Sequence, residues 1–250
     1  MDEPLAFRNQ NLDGATFVRS YLRNTLFAAV DLTGARFKNA DFIDVEISGD
    51  LRNVIVNGVD IAPLVEEELN RRYPGRVFMR AKSPDDARQA WSILETLWAE
   101  TLERARALPE AALHESVNGE WSFIQTVRHL NFATAAWVER VILGTASPWH
   151  PLDLPWDEAP GWDGIPWDRE ARPSLDEVLV ERERRQATVR ALVDGLTDER
   201  WRSEVGNTDP GWPVVERMGL RHAVRIVLKE EWEHRLYAER DLAALEASSP

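Results

Sequence analysis

The chain has 250 residues, 44% of them hydrophobic and 29% charged, enough to bury a sizeable core and too apolar for wholesale disorder. Its formal charge of −13, from 43 acidic and 30 basic residues, repels a phosphate backbone and argues against nucleic acid as a ligand. Cysteine is absent, which excludes disulfides, thiolate nucleophiles and cysteine-ligated zinc.

The opening segment MDEPLAFRNQ lacks the basic and apolar regions of a secretory signal. No run approaches the ~20 consecutive apolar residues of a membrane span. A cytoplasmic protein without membrane contact is expected. Internal repetition follows at once. Phe7, Leu12, Phe17, Leu22, Phe27, Leu32, Phe37, Phe42 and Ile47 recur at an unbroken spacing of five, and two positions before each stands a mostly small or β-branched residue such as Ala15, Thr25 or Ala35. Neither the helical period of 3.6 nor the strand period of 2 fits. A chain that turns a corner every five residues and points both residues inward does. Segments such as Asn11-Leu12-Asp13-Gly14-Ala15 and Asp31-Leu32-Thr33-Gly34-Ala35 resemble pentapeptide repeats, and the resemblance implies a right-handed quadrilateral β-helix over residues 1–61. At about four repeats per coil, this is a little over two coils. Long proteins of that kind imitate DNA, but this segment is short, and its nine acids against six bases are hardly a duplex-like charge. It reads as a structural cap or an interaction module.

Residues 62–83 form a linker, with a short helix expected around Glu66–Arg72. From Ser83 the pattern changes. Ser83-Pro84-Asp85-Asp86 is a helix start, with a capping serine, proline at the first position and acids in the first turn. Trp91, Leu94, Leu97, Trp98 and Leu102 then repeat at helical spacing up to Pro109. A second helix is expected over Trp121–Leu143, a third over Ser174–Leu196 and a fourth over Val214–Ala247. The fold class is therefore α+β in two modules, the short β-helix followed by an antiparallel four-helix bundle at 84–247. Between the second and third helices, residues 144–173 hold six of the 14 prolines and four of the 11 tryptophans, Trp149, Trp156, Trp162 and Trp167. Connections of this length inside a domain are functional or disordered, and the tryptophans argue for a surface to cover. The segment reads as a lid or wall over one end of the bundle, or as a strap over its apolar side.

The chemistry is confined to a few polar residues on apolar helix faces. There is no HExxH, G-x-S-x-G, P-loop or GxGxxG motif, so hydrolase, nucleotidase and dinucleotide readings lack support. On the last helix Glu231 and His234 are three apart on one face, with Glu230 turned to the flank. Burying a carboxylate and an imidazole is costly unless they are paired or metal-bound, and Glu-x-x-His is how bundle proteins present metal ligands. On the second helix His129 has Ala133 and Ala136 as small neighbours. Opposed to His234 and a glutamate it would give three protein ligands with open positions, the pattern of a catalytic metal site. Two core histidines bonded to each other, or a His–Glu pair without metal, explain the same residues. His222 lies twelve residues before His234, about 18 Å along a helix and too far to share a ligand sphere. His150, beside Trp149, can reach the mouth of a site, and Arg128 can bind a carboxylate of a ligand or pair with the acidic surface.

The segments Glu120-Trp121-Ser122, Val127-Arg128-His129-Leu130 and Glu230-Glu231-Trp232-Glu233-His234 resemble the DinB-like (YfiT-like) four-helix bundle proteins over residues 84 to 247. That resemblance implies one ligand histidine on the second helix, matched by His129, and a His-x-x-x-His pair on the last, matched at its end by His234. At the first position of the pair this chain has Glu230, which still suits a divalent cation. The alignment favours Glu230 as third ligand and the helical stripe favours Glu231. Members of the family include metal-dependent enzymes that use a low-molecular-weight thiol (mycothiol, bacillithiol or glutathione) in S-transfer or isomerisation. The resemblance thus implies a divalent metal (Zn, Ni, Fe or Mn), a small thiol, a small-molecule substrate and pairing into a homodimer, while the positions of Trp149, His150 and Arg128 make them weak candidates for contacts to the cofactor. The rival reading is a non-catalytic binding or scaffold protein whose repeat module and acidic surface contact a protein partner.

Overall fold

The computed structural model describes residues 5–157, 159–162 and 165–248. Residues 1–4 of the expected repeat module and 158, 163 and 164 of the tryptophan-rich connection lie outside these. The chain divides into two compact units, Met1–Asp50 and Leu51–Pro250, so the division falls earlier than residue 61.

In the first unit the five-residue period of the sequence reappears in the backbone. Asn9, Gly14, Arg19, Asn24, Ala29, Gly34, Asn39, Asp44 and Gly49 all have positive φ. Asparagine, aspartate and glycine tolerate this conformation best, and they supply seven of these nine corners. Each corner follows a large apolar residue by two positions, so every repeat is one straight step and one left-handed turn. Side chains reinforce two turns: Asp13 N donates to Asn11 Oδ1 and Thr33 N to Asp31 Oδ1, both at 2.8 Å. No β-strand occurs among described residues 5–50. The large apolar residues at the repeat positions stay 44% (Leu12) to 66% (Ile47) exposed.

The second unit opens with a hairpin, β1 (Ile55–Val56) and β2 (Val59–Asp60), followed by helix α1 (Ala62–Arg72) and a 3₁₀ segment at Pro74–Arg80. Four long elements follow. Helix α2 (Pro84–Arg106) starts where Ser83 accepts a hydrogen bond from Asp86 N. Helix α3 (Phe123–Thr134) starts at a capping box of Ser122 and Gln125 and runs on as a π-helical stretch, Ala135–Ile142. Helix α4 (Leu175–Asp194) has the same device in Ser174 and Glu177, in which two orphan amides are satisfied reciprocally. A short helix, α5 (Asp198–Trp201), a hairpin of β3 (Glu204–Asn207) and β4 (Val215–Gly219), and the long α6 (Leu220–Ser248) complete the unit. Helix α2 packs on α4 and α6, and α3 packs on the same two. No helix among the described residues is long and apolar enough to cross a membrane.

The last helix starts at Leu220 and not at Val214, because Val215–Gly219 pairs with Glu204–Asn207 in antiparallel register. Val215 and Met218 of that strand pack against the core, so an apolar spacing that also suits a helix is used by a strand. Gly206 permits the pairing. A Cβ there would lie 2.6 Å from the carbonyl oxygens of Val215 and Glu216, and neither backbone atom can swing aside. Gly206→Ala is expected to cost about 1–3 kcal/mol as an overpacking change, measured by urea denaturation.

Among the described residues the interior has two apolar clusters, one with Trp91, Val138, Val189 and Leu228, the other with Trp98, Leu130, Leu179 and Ala238. Along α3, α4 and α6 the change from one cluster to the other falls near residues 130–138, 179–189 and 232–238. Buried polar residues sit at or beside that step: Asn131, Arg182, Arg185 and Glu231. The many charges of α4 thus do not all face water. Its arginines 182 and 185 supply a polar layer between two apolar ones.

Candidate metal centre

Three of the four expected ligands meet in this layer. One ligand atom each of His129, Glu230 and His234 lies within 4.8 Å of the other two. Helix α3 brings His129 in, and α6 brings Glu230 and His234 one turn apart. The imidazoles stand 4.8 Å apart, centre to centre, inclined at 30°. His129 Nε2 is 3.8 Å from Glu230 Oε2. Around a cation with bonds of about 2.1 Å, neighbouring ligand atoms are roughly 3.0–3.5 Å apart, so a small closing movement suffices.

The surrounding backbone fixes which nitrogens are free. His129 Nδ1 lies 3.0 Å from the Leu154 carbonyl, and His234 Nδ1 lies 2.9 Å from the Glu230 carbonyl. A carbonyl only accepts, so each Nδ1 donates in these contacts, and each Nε2 is the nitrogen left to face a cation. This is the arrangement in which a metal-ligating histidine is held by its other nitrogen. Burial pushes the Glu230 carboxyl up, but the neighbouring imidazoles of His129 and His234 outweigh it and hold the group below its usual range. Burial pushes the His234 imidazole down to about 4, with His129 acting in the same direction and Glu230 against it. Near neutral pH Glu230 is thus a carboxylate and His234 a neutral imidazole, and with the imidazole of His129 they form a donor set that fits a divalent cation.

The His234 shift has a consequence for the metal-free chain. An unfolded histidine takes its proton near pH ~6.5. Between there and about 4 the unfolded chain binds a proton that the folded chain does not. The contribution of His234 to stability therefore declines as pH falls through this window and levels off below it. Urea denaturation of metal-free protein across the window is expected to show the slope, and His234→Gln to flatten it.

Glu231, the stripe's candidate, is placed elsewhere. It is 1% exposed and bound at both oxygens by the Arg182 guanidinium, one contact being 2.6 Å. Arg182 also lies 5.2 Å over the Trp98 ring. Its charge is committed to that pair. Arg128 is fully buried too, and donates to the carbonyls of Leu152 and Ala171, both at 2.8 Å, and of Asp168. All three acceptors lie in the 144–173 connection, so Arg128 clamps that segment and its donors are not free for a ligand. Arg185 does the same at Pro148 and Asp153. The clamping bears directly on the site, because the Leu154 carbonyl that orients His129 belongs to the clamped segment. His150 Nδ1 accepts from Leu152 N at 3.1 Å, within its own loop. Trp149 stacks on Phe132 at 5.6 Å.

Sequence reasoning missed Trp121, whose ring is 4.6 Å from that of His129 and stacked 6.3 Å from that of His234. It also missed Trp212, 5.5 Å from Phe132. Trp121 was readable as the residue before a capping serine. Trp212 lies about eighty residues from Phe132 in sequence, and no local pattern links them.

The family models agree with the division into units. Pentapeptide repeats match residues 11–49 in eight copies, and the DinB superfamily matches residues 93–238, more than half of the chain and all three clustered residues. No curated protein and no solved structure matches. With that match across the helices that carry His129, Glu230 and His234, the chain belongs to the DinB superfamily.

Proposed function

We propose that the second unit is a four-helix bundle that binds one divalent cation through His129, Glu230 and His234, and that it is a metal-dependent transferase or isomerase using a small thiol. One observation carries the metal reading: two imidazoles with their Nδ1 positions tied to carbonyls face a carboxylate within 4.8 Å. Zn, Ni, Fe and Mn all suit this donor set. Three protein ligands leave positions open for a substrate group. Bound there, the cation would supply Lewis acidity that favours the thiolate form of a small thiol. The chain's own residues orient the ligands: Leu154 through its carbonyl, and Arg128 through its hold on the segment around Leu154. We also propose that the repeat segment is a quadrilateral β-helix of about two coils, and that the protein works in the cytoplasm.

Elemental analysis of protein purified without a histidine tag tests the metal, and titration of the loaded protein with thiols, followed by its visible spectrum after cobalt substitution, tests the cofactor. Near-stoichiometric metal and a thiol-dependent spectral change are expected. No metal even after addition of divalent ions sinks the enzyme reading and leaves the scaffold. That rival draws its support from the apolar repeat positions that stay about half exposed.

A further inference from the structure

A cluster of aromatic rings begins at the candidate metal centre and extends away from it. Phe132 lies one turn beyond His129 on α3, their rings 5.9 Å apart. Around Phe132 stand Trp149 at 5.6 Å, Trp156 at 6.2 Å, Trp167 at 5.7 Å and Trp212 at 5.5 Å. Phe132 itself is buried, while the four tryptophans are only half-buried. On the other side of the histidines Trp121, also half-buried, is held by a 2.8 Å hydrogen bond from its Nε1 to Asp157 Oδ1. Three of the four tryptophans around Phe132 come from the 144–173 connection and the fourth from the segment before β4.

A strap whose task was only to cover apolar helices would bury its largest rings. Here the rings of Trp149, Trp156, Trp167 and Trp212 each keep part of their surface open, and ring contacts join them through Phe132 to His129. Large apolar surface left open in one place marks a binding site, and tryptophan offers apolar area at small conformational cost. The strap is also no loose flap. Arg128 and Arg185 tie its backbone from the helices, and Arg169 bonds the Trp156 and Ala159 carbonyls within it at 3.0 and 3.3 Å. The patch is therefore a preformed wall.

We propose that the ligand of this centre is a molecule with a metal-binding head and an aromatic or similarly flat apolar body, the body lying against Trp156, Trp167 and Trp212 while the head reaches the open positions at His129, Glu230 and His234. This rests on the metal reading and adds to it the substrate class. Continuity with the histidines favours this occupant over a protein partner, which has no need of a metal ligand beside its docking surface.

Two hydroxamates that differ only in the body provide the probe, acetohydroxamate and benzohydroxamate, titrated into the full chain loaded with Co(II) and followed by the visible spectrum. Benzohydroxamate is expected to bind tighter by about tenfold or more, after correction for the same pair on free Co(II), since ring stacking adds to the area buried. In Trp156→Ala, Trp167→Ala the ratio falls toward one and acetohydroxamate affinity is unchanged. If circular dichroism shows that this variant is unfolded, Trp156→Leu alone is read the same way. Equal affinities in the wild type, or a ratio that the substitutions do not move, overturn the proposal, and a protein partner on this surface would give that result. Cobalt uptake is read separately. A chain that takes up none overturns the metal reading and this proposal with it, while uptake without preference overturns this proposal alone.

Discussion

Replacing His129 and His234 together by alanine is expected to remove bound divalent metal while the protein stays folded. Groups that only orient a metal's ligands are worth about 10–100-fold in affinity, so losing two of three ligands is expected to cost roughly 10³-fold or more. Elemental analysis of the variant beside the wild type, with and without added divalent ions, reads this directly. The fold is less dependent on the two rings. Each makes its Nδ1 contact to a backbone carbonyl at the edge of the site, and the apolar clusters on either side do not include them. A thermal melt of the metal-free proteins should therefore show an ordinary point-mutation loss of about 0.5–3 kcal/mol. A variant that keeps its metal would mean that the ion sits elsewhere.

How much of this was legible in the sequence depends on the range of the forces involved. Local signals were legible. The five-residue period survives as nine left-handed corners, and Ser83 caps the helix whose start it marks. His129 and His234 come together because amphipathic helices must face one core. Readings that needed a partner far along the chain failed. The start of α6 was misplaced because Val215 and Met218 suit either period, and only pairing with Glu204–Asn207 makes them a strand. Arg128 reads from sequence as a contact for a ligand carboxylate or for the acidic surface, and its real partners are equally remote. Its three acceptors are backbone carbonyls 24 to 43 residues away, and carbonyls leave no mark on a sequence. The π-helical continuation of α3 likewise has no cue in its composition.

The choice between Glu230 and Glu231 shows what a helical stripe measures, and it makes the second large prediction. A stripe identifies burial, and Glu231 is indeed the more buried of the two, its side chain 1% exposed against 31% for Glu230. A deeply buried carboxylate must be compensated, however, and Arg182 compensates Glu231 completely, leaving Glu230 as the one whose oxygen faces the imidazoles. The two glutamates should therefore respond in opposite ways to the same chemical change. Glu231→Gln leaves the Arg182 charge buried without its partner and is expected to cost about 3–5 kcal/mol of stability. Any metal it loses should be no more than its unfolded fraction explains. Glu230→Gln is expected to change metal-free stability by less than about 1 kcal/mol and to lower metal affinity by at least about tenfold, since a charged ligand becomes a neutral amide. Urea denaturation and metal titration of both variants decide the matter. Arg182→Met combined with Glu231→Leu completes the test, because removing a buried pair outright is far cheaper than halving it. Recovery of most of the lost stability with metal affinity intact would assign Glu231 to the fold and Glu230 to the centre.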